Sequence, residues 1–174
     1  MSATSLVERR FATRIAALLA EFRVPPSALT LEITENALMA ERERCFEVLA
    51  LIRALGVRIS IDDYGTGYSS LAYLQDLPVD ELKLDRVFIA RMDRDPRSAA
   101  IVSSTIALAH SLGLPLVAEG VETSEALERL AAAGCDFGQG YLIARPLRPD
   151  EVAGWLDGAQ AGFFALPGLA RRPA

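Results

Sequence analysis

The chain has 174 residues, 51% of them hydrophobic and 24% charged, which is close to ordinary globular usage and favours neither a disordered nor a membrane chain. No apolar run reaches the ~18 residues of a membrane helix, and Glu8, Arg9 and Arg10 stand where a secretory signal would be apolar, so the sequence reads as cytoplasmic with no membrane segment. A net charge of −5 without clustered Lys and Arg speaks against polymeric nucleic acid as a partner, because phosphate backbones demand concentrated positive charge.

Phe11, Ile15, Leu18 and Phe22 recur at helical spacing and stop at Pro25-Pro26, predicting a first amphipathic helix. A strand follows over 29–34, with Leu29, Leu31 and Ile33 on one face and Thr30, Glu32 and Thr34 on the other. Glu is depleted in strands and is rarely buried without a partner, so Glu32 calls for solvent, a basic group or a metal. Phe46, Leu49, Ile52 and Leu55 predict a second helix ending at Gly56. The next strand, 58–62, sets Ile59 and Ile61 against Arg58, Ser60 and Asp62, and Asp63 opens the glycine-rich loop 64–70. Over 81–84, Lys83 stands opposite Leu82 and Leu84. Val102, Ile106 and Ala109 mark a helix ended by Gly113, and the strand 114–119 ends on Glu119. A helix opening near Thr123-Ser124 carries Leu127 and Leu130 to Gly134, a strand covers 137–142, and Pro149 starts a short helix with Val152, Trp155 and Leu156.

Strands separated by amphipathic helices predict an α/β fold, a barrel or a doubly wound sheet, with charged strand ends gathered at the C-terminal edge where such folds keep their sites. Five strands in 174 residues is short beside the roughly 250 residues of an eight-stranded barrel, so strands are missing, supplied by another chain or unnecessary. Asp62 and Asp63 are the sharpest chemical signal. Adjacent carboxylates oppose each other's ionisation unless a cation intervenes, and two divalent ions about 3.5–4 Å apart are a standard device for phosphoester hydrolysis. The plainer alternative is a pair of turn or cap residues. Cys45 and Cys135 lack CxxC spacing and read as buried free thiols. His110 suits a helix C-terminus, Trp155 a core position, and Arg91, Arg94 and Arg97 around Asp93 and Asp95 a solvated loop. Residues 1–158 read as one domain and 159–174 as a flexible tail. No internal repeat beyond the strand-helix alternation is evident.

In order along the chain stand Leu31-Glu32-Ile33-Thr34-Glu35, Asp62-Asp63-Tyr64-Gly65-Thr66-Gly67-Tyr68-Ser69-Ser70-Leu71, Leu82-Lys83-Leu84-Asp85-Arg86, Ala118-Glu119-Gly120-Val121-Glu122-Thr123 and Gly138-Gln139-Gly140-Tyr141. The series resembles the EAL domain family. The resemblance implies a (β/α)8 TIM-barrel-like fold, here without about its first three strands, that hydrolyses cyclic di-GMP to linear pGpG with two Mg2+ or Mn2+ ions. It implies that Glu32 ligates one metal, Asp62 bridges both and Asp63 holds the second. Lys83 is then the catalytic lysine that orients the attacking water, Glu119 the acid beside the second metal, and Gln139 part of the nucleotide and lysine environment. Glu35 would steady the loop 64–70, with Thr66 and, more weakly, Glu122 in support. The same loop would form a homodimer interface, and an upstream sensory or GGDEF domain would accompany a full-length form. The Glu-Ala-Leu of an early strand and an Asn on the following one, both metal ligands in the family, have no counterpart here. The expectation is a chain that turns over cyclic di-GMP weakly or not at all by itself, and whose open strand edges invite association. The alternative reading is a non-catalytic cyclic di-GMP-binding or interaction module.

Overall fold

The computed structural model describes residues 9–40, 42–67 and 71–160, and the chain divides into two compact units, Met1–Lys83 and Leu84–Ala174. The first contains helix α1 (Arg9–Phe22), a 3-10 turn at Pro26–Ala28, strand β1 (Thr30–Thr34), helices α2 (Glu35–Ala40) and α3 (Arg42–Ala54), strand β2 (Arg58–Tyr64) and helix α4 (Leu71–Asp76). Strand β3 (Glu81–Leu84) ends it. β1 and β2 run parallel, with Glu32 level with Ser60 and Thr34 level with Asp62. A crossover helix between parallel neighbours covers one face of the sheet, and both faces of β2 are closed to solvent at its middle: Ile59 and Ile61 on one side and Ser60 on the other are at most 1% exposed.

The helix faces match the expected ones at Ile15, Leu49 and Ile52 and differ at Leu18, Phe22 and Phe46. In α3 the buried stripe is Cys45, Val48, Leu49 and Ile52, spaced i, i+3, i+4, i+7, while Phe46 faces outward. In α1, Ala12 and Ile15 are buried, but Leu18 is exposed and Phe22 is 68% exposed. The large side chains drew the sequence reading to them, whereas burial selects the stripe with the tighter periodicity.

The second unit contains helix α5 (Arg86–Ile89), helix α6 (Pro96–Ser111), strand β4 (Leu116–Glu119), helix α7 (Ser124–Ala132), strand β5 (Phe137–Gln139) and helix α8 (Pro149–Gln160). Its helix starts are chemically specified. Asp85, Asp95 and Thr123 each accept a hydrogen bond from a first-turn backbone N–H, that of Val87, Arg97 and Ala126 respectively. Val102, Ile106 and Ala109 of α6 and Leu127 and Leu130 of α7 are buried, as their spacing predicts. Val152 and Leu156 of α8 remain exposed. β4 and β5 are parallel and shorter than expected. The chain leaves β5 at once because it bends around Val121, whose N–H donates to the Gln139 carbonyl and whose carbonyl accepts from the Leu142 N–H. Ala159 and Gln160 belong to α8, and the rest of the expected tail lies outside the described residues. Among the described residues, no helix is long and apolar enough to cross a membrane.

Each unit carries the same polar clasp, a repeat the sequence reading missed. Asp80, just before β3, accepts from the Ile59 N–H of β2 at 2.9 Å and pairs with Arg53 in the last turn of α3 at 3.3 Å. Asp136, just before β5, accepts from the Leu116 N–H of β4 at 2.9 Å and pairs with His110 in the last turn of α6 at 2.8 Å. In both, the basic side chain precedes the strand residue by six positions. Each aspartate thus ties a helix end to the N-terminal end of one strand while standing at the start of the next. It satisfies a strand N–H that would otherwise lack a partner. Both carboxylates are about a third exposed, so we expect Asp80→Ala and Asp136→Ala each to cost only about 1–2 kcal/mol in a urea unfolding transition. A cost near zero would show that water replaces the carboxylate without loss.

Candidate active site

Side chains alternate along a strand, so Glu32 on β1 and Ser60 and Asp62 on β2 fall on corresponding faces of a parallel pair. From β3, Lys83 reaches both acids: its Nζ lies 2.8 Å from Glu32 Oε1 and 3.2 Å from Asp62 Oδ1. Lys83 stands between the fully buried Leu82 and Leu84, and its side chain is 4% exposed against 51% for Glu32 and 23% for Asp62. An ammonium withdrawn from water to that degree is strongly penalised unless counter-charges meet it. The two carboxylates meet it here, which accounts for a charged residue in the middle of each of three strands.

Asp63 does not begin a loop. β2 continues through it to Tyr64, and Asp63 adopts a left-handed φ of 56°, a conformation Asp tolerates better than most residues. The twist breaks the strict alternation of the strand. Its N–H donates to Asp62 Oδ1 at 3.2 Å, and its carbonyl accepts from the Thr66 N–H at 3.3 Å and from Thr66 Oγ1 at 2.9 Å. Thr66 therefore closes a tight turn on Asp63.

Glu35, the first residue of α2, is 2% exposed, and its Oε2 accepts from the backbone N–H groups of Gly65 at 2.9 Å and Gly67 at 3.3 Å. A charged acceptor shared by two loop amides is a stronger anchor than a neutral one. Gly67 has to be glycine for this approach, since a Cβ there would lie 2.8 Å from Glu35 Oε1 and 2.9 Å from its Cδ. Tyr64 is buried next to this carboxylate, and burial first, then the Glu35 charge, pushes its phenol above the usual tyrosine range. Residues 68–70, the remainder of the expected loop, lie outside the described residues.

In the second unit, Glu119 ends β4, half-buried, and is level with Gln139, which ends β5, exposed. Glu122 is exposed and lines a surface cavity of about 260 Å3 with Arg86 and Arg91. A Glu-Ala-Leu tripeptide does occur, at Glu125-Ala126-Leu127, but it lies in the first turns of α7 with Ala126 and Leu127 buried, far in context from the strand the family motif occupies. Asp93 and Asp95 are not merely solvated: Asp93 pairs with Arg129 at 3.3 Å, and Asp95 caps α6 and accepts from Ser98 Oγ at 2.9 Å. Cys45 and Cys135 are buried free thiols, and burial pushes the Cys135 thiol up to about 11. Sequence reasoning passed over Ser60. Its hydroxyl, on the face of Asp62 and level with Glu32, is the buried side-chain polar atom without a hydrogen-bond partner among the described residues.

The EAL domain model matches residues 1–146. Over 156 residues the chain is 43% identical to cyclic di-GMP phosphodiesterase RocR of Pseudomonas aeruginosa, covering 90% of this chain and 40% of RocR. It is 42% identical to the solved PaMucR phosphodiesterase in its c-di-GMP complex, with a TM-score of 0.84 over 87% of this chain and 62% of that one. For the EAL domain of DcpA from Mycobacterium smegmatis, the identity is 40% and the TM-score 0.86, covering 91% of this chain and 70% of that one. The chain thus spans 40% of RocR and 62% of PaMucR, less than two thirds of either, and the fold it shares with these domains is the TIM-barrel-like one in part. With most of its length matched and both units built of the strand-helix pairs expected, the chain belongs to the EAL domain family.

Proposed function

We propose that this chain supplies the metal-dependent, phosphodiester-cleaving face of a cyclic di-GMP phosphodiesterase acting in cytoplasmic signalling. The observation that carries it is the meeting of Glu32, Asp62 and Lys83, with one buried ammonium held by both carboxylates at 2.8 and 3.2 Å. Carboxylates close enough to share one cation, presented by neighbouring parallel strands, form a hard-oxygen donor set of the kind Mg2+ and Mn2+ take. Glu32 and Asp62 would hold one ion, and Asp62 and Asp63 the other. Bound ions of this type polarise a phosphoryl oxygen and make water a nucleophile at neutral pH.

The protein groups do the rest. Lys83 places a positive charge beside the carboxylates, oriented to hold a water and to meet negative charge developing on a phosphoryl oxygen. Its side chain is 4% exposed, so its charge acts with little screening by water. Glu35 and Thr66 fix the turn after Asp63 and so the direction of that carboxylate. For Glu119 and Gln139, at the ends of β4 and β5, the roles beside the second ion and in the nucleotide environment rest on the family resemblance and on these strand-end positions. Glu122 remains the weaker candidate. The wider assembly is proposed on the same footing: a homodimer through the loop after Asp63, and an upstream sensory or GGDEF domain; one relative, 48% identical over 127 residues, is named a bifunctional diguanylate cyclase and cyclic di-GMP phosphodiesterase.

The sequence has no early-strand Glu and Asn to complete the first ion's ligands, so the chain alone should turn over slowly. A chimera that adds the preceding strands of the PaMucR domain should form pGpG from cyclic di-GMP with Mg2+ or Mn2+, at least 100-fold faster than residues 1–174. Product formation is followed by chromatography. Binding of cyclic di-GMP by the chimera without any metal-dependent product would favour the non-catalytic module instead.

A further inference from the structure

Lys83 is held through Glu32 Oε1 and Asp62 Oδ1, and these are donor atoms that a divalent ion at this position would draw on. We propose that Lys83 is an internal competitor for the metal. Its ammonium neutralises the Glu32–Asp62 pair, so an incoming cation must break at least one of the two contacts and then share the site with a fixed positive charge. The inference rests on the metal-site reading above and adds to it a regulation of that site: the chain sets its own metal threshold.

Three features carry it. The ammonium is shared between the two acids and does not lean on one of them, so both are engaged at once. The side chain is 4% exposed, which keeps water from screening its charge as it would a surface lysine's. And Lys83 sits within a strand between two fully buried leucines, so the backbone cannot withdraw it to relieve repulsion from the ion. Ser60, buried and without a partner, lies level with Glu32 and two residues from Asp62, where it can accept from an ammonium displaced from either acid. A site with this arrangement gains charge stability without metal and gives up metal affinity in exchange.

The test is titration of Mn2+ into the 174-residue chain, with free Mn2+ followed by electron paramagnetic resonance. The proteins are wild type, Lys83→Met, Asp62→Asn and the Lys83→Met/Asp62→Asn double variant. Lys83→Met should bind Mn2+ about tenfold more tightly than wild type or better, equivalent to about 1.4 kcal/mol, and the gain should vanish in the double variant. Thermal unfolding provides an independent readout: Mn2+ should raise the midpoint of Lys83→Met more than that of wild type. If Lys83→Met fails to fold, Lys83→Gln, neutral but able to hydrogen-bond, takes its place with the same expectation. Equal or weaker binding by the neutral variants, with Asp62→Asn still abolishing binding, would overturn the competition while leaving the metal site intact. Binding indifferent to Asp62→Asn would overturn the metal site itself, and the competition with it.

Discussion

Replacing Lys83 by alanine in the complete, chimeric domain is expected to lower turnover of cyclic di-GMP by about 10^2–10^3-fold, the usual effect of deleting one preorganised electrostatic contact to the reacting group. Nucleotide affinity should change by only a few-fold. The split follows from geometry. The ammonium is directed at Glu32 and Asp62 inside the sheet face, where water and the scissile phosphate would react, and its burial leaves it little contact with the rest of a nucleotide. A loss that appears in kcat and not in binding is the signature of an interaction made mainly in the transition state. If the variant binds metal more tightly, as the competition requires, and still turns over slowly, the two roles of Lys83 are separated in one protein. Unchanged turnover would remove Lys83 from the chemistry.

Glu35→Ala should be the most damaging substitution for the fold around the site. It removes an acceptor that two loop amides share, each bond to a charged group contributing roughly 1.5–3 kcal/mol, and it empties a buried position at the start of α2. Because Gly65 and Gly67 lie on a partly solvated turn, water recovers some of that, and a net loss of about 2–4 kcal/mol is expected from urea unfolding. Amide exchange at Gly65 and Gly67 should accelerate together. Glu35→Gln, whose amide oxygen still accepts, should recover much of the loss. A Glu35→Ala variant as stable as wild type would mean that the turn holds its shape through Thr66 and Asp63 alone.

How much of this could be read from the sequence depended on the range of the interaction. Helical and strand periods located α7 and β3 almost to the residue, and the buried face and C-terminal end of α6, because burial there follows the apolar pattern directly: Val102, Ile106, Ala109, Leu82 and Leu84 are all buried. Glu32, Asp62 and Lys83 announced themselves as charges placed where strands discourage them, and Asp63 only as the acid next to Asp62. Side-chain size misled in α1 and α3, where Phe22 and Phe46 were expected inside and stand outside. The clasps of Asp80 and Asp136 were illegible, since an aspartate before a strand looks like any turn residue until the N–H it serves, some 20 residues earlier, is beside it. The left-handed backbone at Asp63 and the isolated hydroxyl of Ser60 likewise arise from tertiary packing. The tripeptide Glu125-Ala126-Leu127 makes the converse point: the letters of a motif without the strand that presents it place no ligand.

Asp62, with Glu32 on one side and Asp63 on the other, is proposed to hold divalent metal. The most direct measurement is an anomalous difference map from crystals of the chimeric domain soaked in Mn2+. Manganese peaks are expected within coordination distance, about 2.1–2.2 Å, of the Asp62 carboxylate, with Glu32 in contact with one of them. Peaks confined to other acidic surfaces, such as the cavity lined by Asp93, Glu125 and Glu128, with none at Asp62, would contradict it.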